Sequence, residues 1–262
     1  MTRPGKLVCV GRNYREHAKE MGNEVPTTPV VFLKPPSSVI ADGEAILLPP
    51  DVGRVDFEGE IGLVIGSRLS KATPAAAAAA VRGIVAVNDV SARDLQKSDV
   101  QWWRAKGADT FGPIGPERLG TPDFAALEVI TRVNGVERQR GRSADMLFTI
   151  PDLLVFISAW VTLEPGDIVL TGTPEGVGPL APGDVVEVEV PGWSRVRNPV
   201  RAGGWGRGGG RSSRRARGVT RARRSWRSSS SWSWSSYSHG WSSFRRRWTS
   251  SGGSVTSSAS TG

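Results

Sequence analysis

Apolar residues along this chain come in short runs separated by Gly, Pro, Asn and Asp, a pattern that predicts many brief strands and few helices. Leu7-Val8-Cys9-Val10 predicts a strand entering Gly11-Arg12-Asn13. Asn13 suits the N-cap of a short helix from Tyr14 to Met21, closed by Gly22. Residues 30–40 read as a strand ended by Pro35-Pro36, and Ala45 to Leu48 as another ahead of Pro49-Pro50. Val55 to Ile65 is a longer apolar run interrupted by Glu58 and Glu60. Thr73 and Pro74 suit the start of a helix over Ala75 to Ala80 that Gly83 stops. Ile84 to Val87 predicts a buried strand that ends abruptly in Asn88-Asp89, followed by Ser91-Ala92-Arg93-Asp94-Leu95-Gln96.

Trp102 to Gly107 leads into a loop rich in Gly and Pro that carries one lysine, Lys106. Glu128 to Val133 and Val136 to Arg140 flank Asn134-Gly135, the preferred centre of a type I′ hairpin turn. Pro151 opens an apolar helix through Trp160, and Ile168-Val169-Leu170 is a strand reaching residues 171–179, too rich in Gly and Pro for either helix or strand. Val185 to Val190 alternates as a strand with one wet face. The class predicted is α+β, strand-rich, with short helices.

Composition divides the chain. All 25 acidic residues lie in 1–200 beside 21 of the 34 Lys and Arg, so that body carries 21 − 25 = −4. The other 34 − 21 = 13 basic residues, every one Arg, lie in 201–262, and the basic balance of the whole chain belongs to that tail. A single cysteine, Cys9, excludes an internal disulfide framework and fits a reducing compartment. With no signal peptide and no long apolar span visible, a cytoplasmic protein without membrane contact is expected.

Glu58 and Glu60 fall on one face of a strand, because successive side chains alternate. Two like charges buried side by side demand a counter-charge, for which a divalent cation serves; the plainer alternative is the wet face of an edge strand. Asp89, a carboxylate at the end of a buried strand, is a third candidate ligand or else a helix cap, as Ser91 is. His17 and Glu20 are neighbours on a helix, able to take a proton from water or forming a surface pair. The loop at 171–179 brings backbone N–H groups and the Thr173 hydroxyl toward a ligand, or is a surface turn.

Taken together, these stretches resemble the fumarylacetoacetate hydrolase family, in its short single-domain acylpyruvate hydrolase and 2-hydroxyhepta-2,4-diene-1,7-dioate isomerase branch. The resemblance covers about residues 6–200 in unbroken order. It rests on Val10-Gly-Arg-Asn-Tyr14 with His17 and Glu20, Phe32-Leu-Lys-Pro35, Phe57-Glu-Gly-Glu60, Asn88 to Gln96, Lys106-Gly-Ala-Asp-Thr-Phe111 and Thr171 to Gly178.

The resemblance implies a mixed β-roll, usually dimeric, in which Glu58, Glu60 and Asp89 hold Mg²⁺ or Mn²⁺. An all-oxygen ligand set suits such a hard ion. It implies that His17 and Glu20 activate water, that Lys106 stands near the polarised oxygen, and that Arg93, Gln96 and Thr173 contact a 2-oxo acid substrate. The expected reaction is hydrolysis of a C–C bond in an acylpyruvate-like diketo acid. Isomerisation of 2-hydroxymuconate-type diacids, hydration of dienoates and decarboxylation of oxaloacetate use the same enolate-stabilising site.

Residues 201–262 hold 13 Arg, 19 Ser and 6 of the 10 Trp, with no Leu, Ile, Lys, Asp or Glu. Arg interleaved with aromatics would bind single-stranded nucleic acid through charge and stacking. Such a composition cannot build a core and predicts disorder. The abrupt change after Arg197-Asn198-Pro199 instead favours a segment translated out of frame from a GC-rich gene.

Overall fold

The computed structural model describes residues 3–204; the expectations for the Arg-rich tail lie outside the described residues. From the start of the chain come β1 (Leu7–Gly11), α1 (Arg15–Glu20), β2 (Val30–Lys34), β3 (Val39–Ile40), β4 (Ile46–Leu48), β5 (Val55–Phe57) and β6 (Gly59–Ile65). Next are α2 (Pro74–Ala79), β7 (Val81–Asn88), β8 (Ser91–Ala92), α3 (Arg93–Ser98), α4 (Trp103–Gly107), β9 (Gly112–Pro113) and β10 (Arg118–Leu119). The hairpin β11 (Glu128–Val133) and β12 (Val136–Arg142) precedes α5 (Ile150–Trp160), and the chain closes with β13 (Ile168–Leu170), β14 (Gly178–Pro179), β15 (Val185–Val190) and β16 (Ser194–Ala202).

Two larger sheets hold most of these strands, ordered β10-β7-β6-β13-β1-β2 and β12-β11-β15-β16-β4. The smaller sheets are β14-β5-β8 and β3-β9. Pairing is mixed: β1 with β13, β4 with β16 and β3 with β9 are parallel, the rest antiparallel. This is the strand-rich architecture that the family resemblance implies. Asn134 and Gly135 both take positive φ, 53° and 79°, as a type I′ turn requires. The main core packs α5, through Leu153, Leu154 and Ile157, against the apolar face of the first sheet, including Ile61, Leu63 and Val169. Among the described residues no helix is long and apolar enough to cross a membrane.

Four local readings change. Asn13 does not cap α1, whose N-cap is Tyr14; its amide instead donates to the carbonyls of Phe148 and Thr171 and its oxygen accepts from the Phe148 amide, tying β1 to distant loops. Gly83 does not stop α2, which ends at Ala79 with Ala80 as its C-cap, because residue 83 already lies inside β7. Neither Asp89 nor Ser91 caps α3; the position belongs to Ala92, and Ser91 donates to the Asp89 carbonyl. Lys106 sits not in an open loop but on α4, and it is buried.

Candidate active site

The acidic run from Val55 breaks between β5 and β6, and the break falls at Glu58. Glu58 donates its amide to Asn88 Oδ1 at 3.0 Å and accepts the Asp89 amide at 2.8 Å, so the end of β7 is stitched to the break. Gly59 between the two glutamates has no room for a side chain: a Cβ there would lie 1.9 Å from Thr131 Oγ1. Its amide donates to Gln139 Oε1 at 3.0 Å and its carbonyl accepts from Thr173 Oγ1 at 2.9 Å. The second sheet thus occupies one side of Gly59. Glu58 and Glu60 both line a cavity, and with Asp89 they bring carboxylate oxygens within 4.8 Å of one another. β6 lies between β7 and β13, which rules out the wet edge strand.

Charge around this cluster is unevenly matched. Lys106 Nζ bridges Glu58 Oε2 at 2.6 Å and Asp89 Oδ2 at 2.7 Å. Arg93 reaches Glu58 Oε1 at 2.6 Å and Asp56 Oδ2 at 2.8 Å, and Lys34 pairs with the other oxygen of Asp89. Glu60 forms no ion pair among the described residues; its carboxylate accepts the Gly172 amide at 2.7 Å. Burial, then the Asp89 and Glu58 charges, push Glu60 well above the usual carboxylate range. For Glu58 burial acts the same way, but Lys106 and Arg93 overcome it and hold the group far below that range. A buried carboxylate facing two others without a cation is costly, and three hard oxygen donors are the set that Mg²⁺ or Mn²⁺ takes. The residues present fit such an ion.

The cavity has a volume of about 290 Å³. His17, Glu58, Glu60, Arg93, Gln96, Lys106 and Thr173 all line it, while Asp89 stands behind the wall through its bond to Lys106. Glu20 is half-exposed, 3.4 Å from His17 Nδ1, and its carboxylate accepts the Gly176 amide at 3.2 Å. His17 is buried, which lowers its pKa; Glu58 and Glu20 oppose the shift and Arg93 and Lys106 reinforce it. Gln96 Oε1 accepts from Arg93 at 2.9 Å. Thr173 donates its hydroxyl proton to Gly59 and accepts from Gln139 at 2.8 Å, so what it can offer a ligand is limited to oxygen lone pairs and backbone.

A family model described as Fumarylacetoacetate (FAA) hydrolase C-terminal matches residues 6–201. The chain belongs to the fumarylacetoacetate hydrolase family. Mitochondrial oxaloacetate tautomerase FAHD1 of Arabidopsis thaliana is 42% identical over 202 residues, covering 74% of this chain and 90% of that protein. Among solved structures, 5-carboxymethyl-2-hydroxymuconate delta-isomerase from Mycobacterium smegmatis has 46% identity and a TM-score of 0.70, covering 76% of this chain and 80% of its own. 2-Hydroxyhepta-2,4-diene-1,7-dioate isomerase from Mycobacterium marinum has 43% identity and a TM-score of 0.70, covering 76% and 75%.

Several residues in or behind the wall of this fumarylacetoacetate hydrolase-family cavity carry no separate role in the sequence. Lys34 is fully buried against Asp89, and the signal was there: a lysine closing an apolar strand before two prolines. Gln139 gives all its amide capacity to Gly59, Thr173 and Pro174, joining the second sheet to the glutamate pair and the 171–179 loop. Nothing local distinguishes it from the polar residues around it on β12. Arg12 does line the cavity, with φ of 59°.

Proposed function

We propose that the cavity acts on a small 2-oxo acid with Mg²⁺ or Mn²⁺ held by Glu58, Glu60 and Asp89, and that its chemistry is proton transfer beside the oxo group. The observation that carries this reading is Glu60, a buried carboxylate that shares a cluster with two others and has no basic partner among the described residues. A bound cation there supplies Lewis-acid polarisation and neutralises developing negative charge. His17 serves as base: its lowered pKa keeps the imidazole neutral and able to accept a proton, and Glu20 orients the ring. Lys106, whose ammonium lies in the cavity wall, stabilises negative charge on the substrate oxygen. Gln96 offers its amide N–H groups to the substrate while Arg93 holds its oxygen.

The tautomerase and isomerases among the similar proteins support keto–enol or double-bond isomerisation, in which the proton that leaves one atom returns to another and no water is consumed. A second reading, hydrolysis of an acylpyruvate, is favoured by the His17–Glu20 pair, which can take the proton from an attacking water. It would release pyruvate, and isomerisation would not. The test follows the enol absorbance of oxaloacetate and of an acylpyruvate with Mg²⁺ or Mn²⁺ while assaying pyruvate. We expect loss of the enol signal without pyruvate above background, abolition by EDTA, and a roughly 10²- to 10⁴-fold slower rate in His17→Ala. Activity that survives both EDTA and Glu60→Ala overturns the metal assignment, and full activity in His17→Ala overturns the base. The dimer implied by the family belongs to the same proposal, with light scattering as its check.

A further inference from the structure

β12 is the edge strand of the second sheet, and of its side chains only Gln139 is buried, beside Gly141. The ladder is irregular at this point: Thr131 pairs with Gln139 and Arg132 with Glu137, which leaves Arg138 as an extra residue. Such a bulge re-aims the side chains next to it. Residues 172–176 lie directly on this strand. A Cβ on Gly141 would lie 2.6 Å from the Pro174 Cβ, and one on Gly176, whose φ is 93°, would lie 2.2 Å from the Arg138 carbonyl oxygen.

The Gln139 amide can sit only one way round, because the Gly59 N–H can only donate and the Pro174 carbonyl can only accept. Oε1 therefore takes the Gly59 amide at 3.0 Å, and Nε2 gives one hydrogen to Pro174 and the other to Thr173 Oγ1, each at 2.8 Å. Thr173 in turn donates to the Gly59 carbonyl at 2.9 Å. The peptides on both sides of Gly59 are thereby gripped, one by Gln139 and the other by Thr173. Glycine has the freest backbone of any residue, and two carboxylates that hinge on one need that freedom removed. From the same anchor the 172–176 segment aims the Gly172 amide at Glu60, 2.7 Å away, and the Gly176 amide at Glu20, 3.2 Å away.

We propose that Gln139, which stands outside the cavity lining, is a positioning residue for the cation: it sets the direction of the Glu58 and Glu60 carboxylates by locking Gly59 and the segment that bonds Glu60. This role rests on Glu58, Glu60 and Asp89 holding Mg²⁺ or Mn²⁺, as proposed above. It adds a long-range requirement, since a residue 79 positions beyond Glu60 fixes how the glutamate pair meets an ion.

The test measures Mn²⁺ binding to the full-length protein by calorimetry, together with the electron paramagnetic resonance spectrum of the bound ion. Gln139→Met keeps the bulk and removes all three bonds, whereas Gln139→Asn keeps the amide and shortens its reach. Each is expected to weaken Mn²⁺ binding by roughly 10- to 100-fold and to alter the spectrum at saturating Mn²⁺. Thr173→Val, which releases the Gly59 carbonyl, should weaken it by a smaller factor. The Gln139→Met/Thr173→Val double variant should fall no more than about twofold below Gln139→Met, because both act on one glycine. Thr149→Ala removes the side-chain cap of α5, and should lower the melting temperature while leaving Mn²⁺ affinity unchanged, which separates positioning from a general loss of stability. Affinity within about twofold of wild type in a folded Gln139 variant, or fully additive losses in the double variant, overturns the proposal. If neither Gln139 variant folds, unchanged affinity in Thr173→Val overturns it. A wild type that binds no Mn²⁺ overturns the cation reading itself, whereas wild-type binding that the Gln139 variants leave intact overturns this role alone.

Discussion

The cavity wall and the outer face of the second sheet use the same residue types to opposite ends. On the sheet, Arg132 meets Glu189 at 2.7 Å and Glu187 at 3.5 Å, and Arg140 meets Glu128 and Glu137 at 2.9 and 2.7 Å. Those charges alternate in sign across neighbouring strands and stand in contact with water. Around the cavity, Glu58, Glu60 and Asp89 face Lys34, Arg93 and Lys106, all buried, while Arg93 is shared with Asp56 and, among the described residues, Glu60 has no cation in direct contact. Paired charges in water are individually dispensable, whereas a buried carboxylate without an ion pair, as Glu60 is among the described residues, calls for a further cation or a proton.

The comparison can be broken most forcefully at Lys106. Lys106→Met removes the cation shared by Glu58 and Asp89, leaving each with one partner, Arg93 and Lys34, and should cost about 3–5 kcal/mol in urea unfolding; a loss comparable to that of a surface pair would mean that water reaches the cluster. Glu60→Gln should have the opposite sign in metal-free protein, raising stability by about 1–2 kcal/mol, because it replaces an ionisable group whose burial without an ion pair is costly. The same variant should lose the rise in melting temperature that Mn²⁺ gives the wild type. The direction of each pH effect sharpens the contrast. Burial and the neighbouring carboxylates make Glu60 hold its proton more tightly when folded, so its contribution to metal-free stability is present below a pH of about 4.3 and declines above it. His17 releases its proton more readily when folded, so its contribution declines as pH falls below about 6.5. Stability measured from pH 3 to 8 in wild type, Glu60→Gln and His17→Ala separates the two slopes. The smallest effect belongs to the sheet, where Arg132→Met should cost less than about 1 kcal/mol and lose even that in high salt.

Much of the site was legible because its residues sit in local patterns. Glu-Gly-Glu inside an apolar run places two carboxylates with the chain's own periodicity, and Asp89 closes a strand that is plainly buried. Where the sequence reading slipped, the reason was long-range. Asn13 looks like a cap only until Phe148 and Thr171 compete for its amide. Gly83 resembles a helix stop, yet its small size serves β10: a Cβ would lie 2.7 Å from the Arg118 carbonyl oxygen. Lys106 reads locally as the single lysine of a loop because its two anions are 48 and 17 residues away in sequence. Gln139 acquires meaning only when two sheets meet at Gly59. Turn chemistry and strand alternation are short-range properties, and the partners of a buried polar group are not.

The last strand bears on where the chain can safely be shortened. Among the described residues β4 pairs with β16 alone, through Val200, Arg201 and Ala202, and Gly203 adds a further bond to Leu48. A cut after position 200 would therefore unzip β4, the segment that leads through residues 49–54 into β5 and the glutamate break. Trimming after Gly204 removes the Arg-rich stretch and spares that anchor, so the two truncations should differ in cation binding although neither touches a proposed ligand.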